Sequence, residues 1–131
     1  MTSIKNTEAN EIIRRAMHRA SELGVAACIA IVDAGAHLLA FQRMDGASLG
    51  PVDVSLRKAR TAALFQAPTG DFGEVIVGHG LTGMELSNGG LAAFHGGLPI
   101  LVGDAMIGAI GVSGGSADQD LDIVHYATGV E

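Results

Sequence analysis

Two histidines stand beside glycines, where an imidazole ring has room to meet a ligand. His79 lies between two glycines, and His95 directly precedes a Gly-Gly pair. A neutral imidazole ligates haem iron or a divalent metal, and it transfers protons near neutral pH. Glycine-flanked positions indicate loops, and loops held on a rigid scaffold carry functional residues. His79 and His95 are therefore the candidates for a ligand-binding or acid–base role.

Arg43 and Lys58 are the candidates for anchoring a carboxylate or a haem propionate. The Arg43 guanidinium suits bidentate pairing, and a partly buried Lys58 offers a point charge or an amine of lowered pKa. An internal ion pair with Asp33 or Asp45 explains the same residues equally well. The sequence leaves both interpretations open.

Ser113 lies in GVSGG, which fits the G-x-S-x-G pattern of a nucleophile elbow. That elbow belongs to a larger parallel sheet, and a serine nucleophile also needs a neighbouring base. The glycines at 108, 111 and 114 are three residues apart, which is not the spacing of a dinucleotide fingerprint. A serine hydrolase and a dinucleotide site are both disfavoured. Glycine within a strand instead lets a ligand, a helix or a partner backbone approach.

The remaining soft or basic ligand types favour structural roles. No clustered His/Cys spacing predicts a structural zinc site, so no metal site is expected. A thioether can ligate haem, but methionine more often fills a core. The residues interpreted as structural, buried or exposed are His18, Cys28, His37, Met44, Met84, Met106 and His125.

Composition narrows the class of protein. A length of 131 residues suits one domain that spans residues 1–131. Because 48% of the residues are hydrophobic, we expect part of the surface to be buried in a homo-oligomer. The formal net charge of −6 disfavours sequence-independent binding to nucleic acid. No signal-peptide pattern or membrane-length apolar run occurs, so the expected partners include no membrane and the expected location is the cytoplasm.

Periodicity and turn residues place these side chains on alternating helices and hairpins. An apolar repeat predicts a first helix with Thr7 as its N-cap, and Ser116 is the predicted N-cap of the last helix, with Asp118 and Asp120 in its first turn. The predicted helices are 8–23, 51–66 and the one that follows Ser116; the predicted strands are 26–33, 37–45, 98–102 and 105–113, with a further short one at 91–95. Tight turns at 33–35 and 103–104 join neighbouring strands, so the sheet is mainly antiparallel. Residues 71–90 give no clear pattern between short helix, short strand and loop.

Three stretches carry a family resemblance. The closing stretch GGLPILVGDAMIGAIGVSGGSADQD, residues 96–120, resembles the C-terminal signature of the GlcG/HbpS family. VDAGAHLLAFQRMDGA and SLRKARTAALFQAPTG are similar to that family's first hairpin and second helix. The family includes haem-binding proteins and the C-terminal domain of PduO-type proteins. The likeness covers nearly the whole chain apart from 71–90.

The resemblance implies an α/β (α+β) fold in which helices flank an antiparallel sheet of about five strands. It also implies homo-oligomers and the binding of a small ligand, which is haem in some members. The positions that match the family pattern are Asp33, Arg43, Asp45 and Lys58 at its polar places, and Gly97, Pro99, Ser113 and Asp120 in its closing motif.

Three functions follow as hypotheses. The first is a protein that binds haem or a small carboxylated metabolite beside the closing strands and the second helix, using Asp33, Arg43, Lys58, Gly97 and Ser113. The second is a small catabolic enzyme in which His79 or His95 is the acid or base and Arg43 or Lys58 anchors a carboxylate. The third is an accessory protein with no ligand. Whether any reaction is catalysed stays open.

Overall fold

The computed structural model describes residues 2–130, which form three layers with a sheet in the middle. The helices are α1 (Asn6–Glu22), α2 (Gly50–Phe65), α3 (Thr69–Gly78) and α4 (Ala117–Thr128), and the strands are β1 (Cys28–Asp33), β2 (Leu38–Arg43), β3 (Gly97–Val102) and β4 (Ala105–Ser113). One 3₁₀ turn covers Met84–Leu86.

The sheet has the order β2-β1-β4-β3, and every neighbouring pair is antiparallel. The two predicted hairpins, β1–β2 and β3–β4, are confirmed. They join through β1 and β4, which places Cys28 opposite Ser113. Strands β2 and β3 are therefore the two edges of the sheet.

The two faces of the sheet are covered differently. Helices α1 and α4 pack on one face through large aliphatic side chains such as Ile29, Ile110 and Ile123. Helix α2 packs on the other face through alanines, including Ala59 against Ala109. Small side chains on both sides let the helix approach the sheet closely.

Two glycines of β4 face opposite layers, as strict alternation predicts. A Cβ added at Gly111 would lie 2.2 Å from the carbonyl oxygen of Ser55 on α2, and one added at Gly108 would lie 2.8 Å from Cγ2 of Ile4 on the other face. The glycine at 111 thus lets the backbone of α2 rest on β4. A neighbouring helix, and not a ligand, occupies that space.

The prediction of about five strands is wrong in number, because the sheet between residues 2 and 130 has four. Residues 91–95 form no strand. Their backbone groups bond elsewhere: the amide of Leu91 donates to the carbonyl of Glu85, the amide of Ala92 to the Thr61 hydroxyl, and the carbonyl of Phe94 accepts from the Thr69 hydroxyl. Helices α2 and α3 therefore hold this segment away from the sheet.

The helix ends confirm one predicted cap and correct another. Ser116 caps α4 through a capping box with Gln119. Thr7 does not cap α1, which begins after Lys5. The amide of Ile4 donates to the carbonyl of Ile107 on β4 at 2.9 Å. The N-terminal segment is therefore bonded to β4 at residue 4, and α1 begins two residues later.

The stretch that gave no clear pattern contains most of α3 and the 3₁₀ turn. None of the helices described combines the length and the apolar character that a membrane span requires.

Candidate functional site

Residues 94–97 connect the irregular segment to the edge strand β3, and Thr69 holds them in place. The buried Thr69 hydroxyl accepts from the amide of Gly97 at 2.9 Å and donates to the carbonyl of Phe94 at 2.5 Å. Thr69 is the first residue of α3, so one side chain ties this connection to the start of a helix. Phe94 and His95 are thereby presented from a fixed backbone.

Lys58 of α2 lies beneath this connection and is almost fully buried, with 1% of its surface exposed. Its Nζ donates to the carbonyl of Val112 at 2.8 Å and to Oδ2 of Asp120 at 3.1 Å. It also lies 5.0 Å from the centroid of the Phe94 ring, a cation–π distance. The buried ammonium therefore joins α2, the end of β4, the start of α4 and the Phe94 segment.

Asp120 is buried as deeply as its partner. Its Oδ1 accepts from the amide of Gly115 at 2.9 Å, and its Oδ2 accepts the hydrogen bond from Nζ of Lys58 at 3.1 Å. The first turn of α4 also favours a carboxylate electrostatically. Every buried side-chain nitrogen and oxygen between residues 2 and 130 has a hydrogen-bond partner, these two included.

Burial shifts both ends of the Lys58–Asp120 pair towards the neutral form. Loss of solvation lowers the pKa of Lys58, and the attraction of Asp120 opposes that shift. The same loss of solvation raises the pKa of Asp120 against the attraction of Lys58. The proton between the two groups is consequently less firmly held by the amine than in water.

His95 is half-buried and separates two grooves. Its ring packs against Gly70, where an added Cβ would lie 2.0 Å from Nδ1. The Phe94 groove, of about 500 Å³, is lined by Gly70, Gly73, Glu74, Val77, Gly78, Ala93, Phe94, His95 and Ala117. The His125 groove, of about 320 Å³, is lined by Pro68, Gly70, Asp71, His95, Gly96, Gly97, Leu98, Leu121, His125 and Val130.

The structure brings together only part of the residue set predicted from sequence. Lys58, Gly97 and His95 surround the Phe94 connection, but Arg43 is exposed on the edge strand β2. His95 adjoins the opposite edge, β3, so three strand spacings of ~4.8 Å separate the two edges. Arg43 and His95 therefore do not share one small-molecule site within a single chain.

Three further predicted residues have local surroundings of their own. Asp33 closes the β1–β2 turn, where its Oδ1 accepts from the amides of Gly35 and His37. His79 is exposed at the end of α3. Ser113 is the buried last residue of β4, and the antiparallel pairing of that strand differs from the parallel setting of a hydrolase elbow.

The ion-pair interpretation of Lys58 is correct in kind and wrong in partner, because the partner is Asp120. The sequence places Asp120 in the first turn of α4, where the helix dipole favours an acid, but it does not indicate an ion pair with Lys58. The Gly114-Gly115 pair before that helix is an available signal, because Gly114 has φ +144 and the amide of Gly115 donates to Oδ1 of Asp120. Phe94 and Thr69 gave no sequence signal, because their roles depend on an irregular backbone.

A larger groove, of about 780 Å³, lies between the start of α1 and the β3–β4 hairpin. The described residues that line it include no histidine, cysteine or methionine. No group of three or more His, Cys, Asp or Glu side chains in residues 2–130 is arranged to hold a metal ion. The charged groups of this groove are Lys5, Glu8 and Glu11, whereas the buried ion pair and the half-buried imidazole lie around Phe94.

Comparison with known proteins decides the family. Residues 4–128 match the family described as haem degrading protein HbpS-like. The chain belongs to this family. Protein GlcG of Escherichia coli strain K12 is 37% identical over 105 residues, which are 80% of this chain and 77% of that protein.

Solved structures agree in fold. The PduOC:heme complex aligns with a TM-score of 0.92 at 30% identity, covering 99% of this chain and 96% of that one. The crystal structure of HbpS aligns with a TM-score of 0.90 at 27% identity, covering 99% and 91%. The HbpS-like fold is therefore shared over the whole described chain.

Proposed function

We propose that this HbpS-like chain is a small-ligand-binding protein and that haem is its ligand. The observation that carries the proposal is the half-buried imidazole of His95 at the edge of the apolar Phe94 groove. The solved PduOC:heme complex, which shares this fold, supports the choice of ligand.

The residues of the Phe94 groove fit a porphyrin. Its walls are apolar at Val77, Ala93 and Phe94, and its volume of about 500 Å³ lies in the usual range for small-molecule sites. An imidazole is an established axial ligand type for haem iron. Haem would supply a ligand-accepting iron, while the groove excludes water from one face of the ring.

The charges around the groove would set the orientation of the bound haem. The groove is lined by Glu74 and by no lysine or arginine among the residues described. Lys58 is paired with Asp120 and lies buried beneath the Phe94 ring, so with the ring in this position it offers no cation to a propionate. The propionates would therefore point to solvent, away from Glu74.

Titration of the purified apo-protein with hemin tests the proposal. We expect a Soret shift that saturates at one haem per chain, and we expect His95→Ala to weaken or abolish it. His79→Ala is the matched control, because His79 is exposed and does not line the groove. If hemin at stoichiometric amounts gives no Soret shift, haem binding is overturned. If His95→Ala gives the same spectrum as wild type, the assignment of His95 as the residue that ligates the iron is overturned.

We also propose that the chain self-associates through α3 and the residues that follow it. Leu86 is 82% exposed, and Val75 and Leu81 add to the same stretch, whereas Val77 belongs to the wall of the Phe94 groove. Such large apolar side chains are seldom left in water in this number on one short stretch. A second copy of the chain is the occupant proposed.

A further inference from the structure

Lys58 is a buried amine whose surroundings are incomplete on one side. An ammonium carries three protons. Two of them have oxygen acceptors in Val112 and Asp120, at 2.8 and 3.1 Å. The remaining side of the group faces the Phe94 ring, 5.0 Å from its centroid. An aromatic ring therefore covers the position at which a third oxygen acceptor would complete the site.

Phe94 is suited to be a movable cover. Phe94 is 51% exposed, although its ring lies over the almost fully buried ammonium of Lys58. It belongs to a segment with no regular secondary structure and forms part of the wall of the Phe94 groove. Lys58 does not itself line the groove, and Phe94 lies between the two. Rotation of this side chain is therefore the movement that would connect Nζ to the groove, while Thr69 keeps the backbone in place.

The backbone next to Nζ is also shaped around it. Gly96 has φ +126, and a Cβ there would lie 2.6 Å from Nζ. A side chain at position 96 would therefore displace the amine. Access to Lys58 is left to the Phe94 side.

We propose that Lys58 is a carbonyl-binding amine, which forms a reversible imine with a short aliphatic aldehyde that enters through the Phe94 groove. The site is distinct in chemistry from the proposed haem ligation, because it uses the amine beneath the ring and not the imidazole beside it. An uncharged, short-chain aldehyde suits the groove, since its wall is apolar at Val77 and Ala93 and bears the acid Glu74.

The step balances with groups that are present. Lys58 passes a proton to Asp120, and the free amine attacks the aldehyde carbon to give a carbinolamine. The carbon–oxygen bond then breaks with the Asp120 proton going to the departing hydroxyl, so that one water leaves. The product is a protonated imine whose positive charge stays beside the Asp120 carboxylate. No oxidant or reductant takes part.

Burial supports this proton transfer. The pKa of Lys58 is lowered and that of Asp120 raised by the same loss of solvation, so the neutral pair is more accessible than for a surface lysine. The other titratable groups at the site are His95 and Glu74, both at the groove and neither bonded to Nζ.

The sequence offers an internal control, because its only lysines are Lys5 and Lys58. We would incubate the folded protein with butyraldehyde and cyanoborohydride at neutral pH, which reduces any imine to a stable secondary amine. Peptide mass mapping then compares Lys58 with Lys5 and the N-terminal amine. We expect Lys58 to be alkylated faster than the exposed Lys5, and Phe94→Ala to raise its rate further.

The opposite result is as clear. If only Lys5 and the N-terminal amine are alkylated and Lys58 stays intact in the wild-type protein, the proposal is overturned. Labelling through global unfolding is recognised by its dependence on urea below the unfolding transition, since opening of one side chain exposes little surface. A steep rise with urea also overturns the proposal. Lys58→Arg should retain any Soret shift with hemin, so the two functions fail independently.

Discussion

At the scale of single residues, the Lys58–Asp120 ion pair is buried, and loss of either partner would destabilise the fold. Removing one partner leaves an uncompensated buried charge, which costs about 3–5 kcal/mol. We expect Lys58→Met to lower the free energy of unfolding by that order. Urea denaturation of the wild-type and variant proteins measures it.

A double variant that removes both charges separates the attraction between Lys58 and Asp120 from the cost of burying them. In Lys58→Met with Asp120→Leu no charge remains, so most of the loss should be recovered, within ~1–2 kcal/mol of wild type. A double variant as unstable as the single one would show that the ion pair contributes net stability beyond its desolvation cost.

The same pair predicts a dependence on pH. The folded-state pKa of Lys58 lies below its ordinary value of 10.5, so between these two values the unfolded chain binds more protons than the folded one. The free energy of unfolding therefore rises with pH in that window, relative to the double variant that lacks the pair. Denaturation of both proteins at several pH values up to 10.5 tests this, and a constant difference contradicts it.

At the scale of the elements, much of the fold followed from pattern. The helical periodicity of α1 and α2, the turn residues of both hairpins and the Ser116 cap are local signals, and the structure confirms them. Residues 91–95 resemble a strand in composition, but their backbone groups form hydrogen bonds with Thr61 of α2 and Thr69 of α3 and not with a neighbouring strand. That outcome depends on contacts between distant segments, which local pattern does not contain.

The candidate site was predictable only in part for the same reason. Lys58 and His95 were identified by residue type and spacing. The burial of Lys58 depends on α2 resting on Gly111, and its partner comes from a helix 62 residues further along the chain. A local sequence signal cannot reveal such a pairing.

The contact between α2 and β4 yields the prediction at this scale. In Gly111→Ala the new Cβ would lie 2.2 Å from the Ser55 carbonyl oxygen and 2.5 Å from the Ala59 amide nitrogen, both backbone atoms. The helix must shift, and we expect a loss of about 1–3 kcal/mol of unfolding free energy. Thermal or urea unfolding provides the measurement.

Gly78→Ala is the matched control for Gly111→Ala. Gly78 is the last residue of α3, and nothing lies within 4 Å of an added Cβ. Alanine there should be neutral or slightly stabilising, because it restricts the unfolded chain. Equal losses in the two variants would contradict close packing as the cause.

At the scale of the whole molecule, the distribution of exposed apolar residues indicates where the proposed self-association would occur. Both edges of the sheet are open, and the β2 edge exposes Leu38 at 57%. The stretch that follows α3 exposes Leu86 at 82% together with Leu81. Between the β2 edge and the stretch beside α3, the larger apolar exposure favours the stretch beside α3 as the interface.

A pair of charge substitutions distinguishes these interfaces. We expect the wild-type protein to be a homo-oligomer by light scattering, and Leu86→Glu to shift it towards the monomer, because a carboxylate would be desolvated at the contact. Leu38→Glu, a change of the same kind on the β2 edge, should leave the mass unchanged. Since Leu86 does not line the Phe94 groove, the monomeric variant should still bind hemin if the ligand site is complete within one chain. A wild-type monomer, or dissociation by Leu38→Glu alone, would refute the interface beside α3.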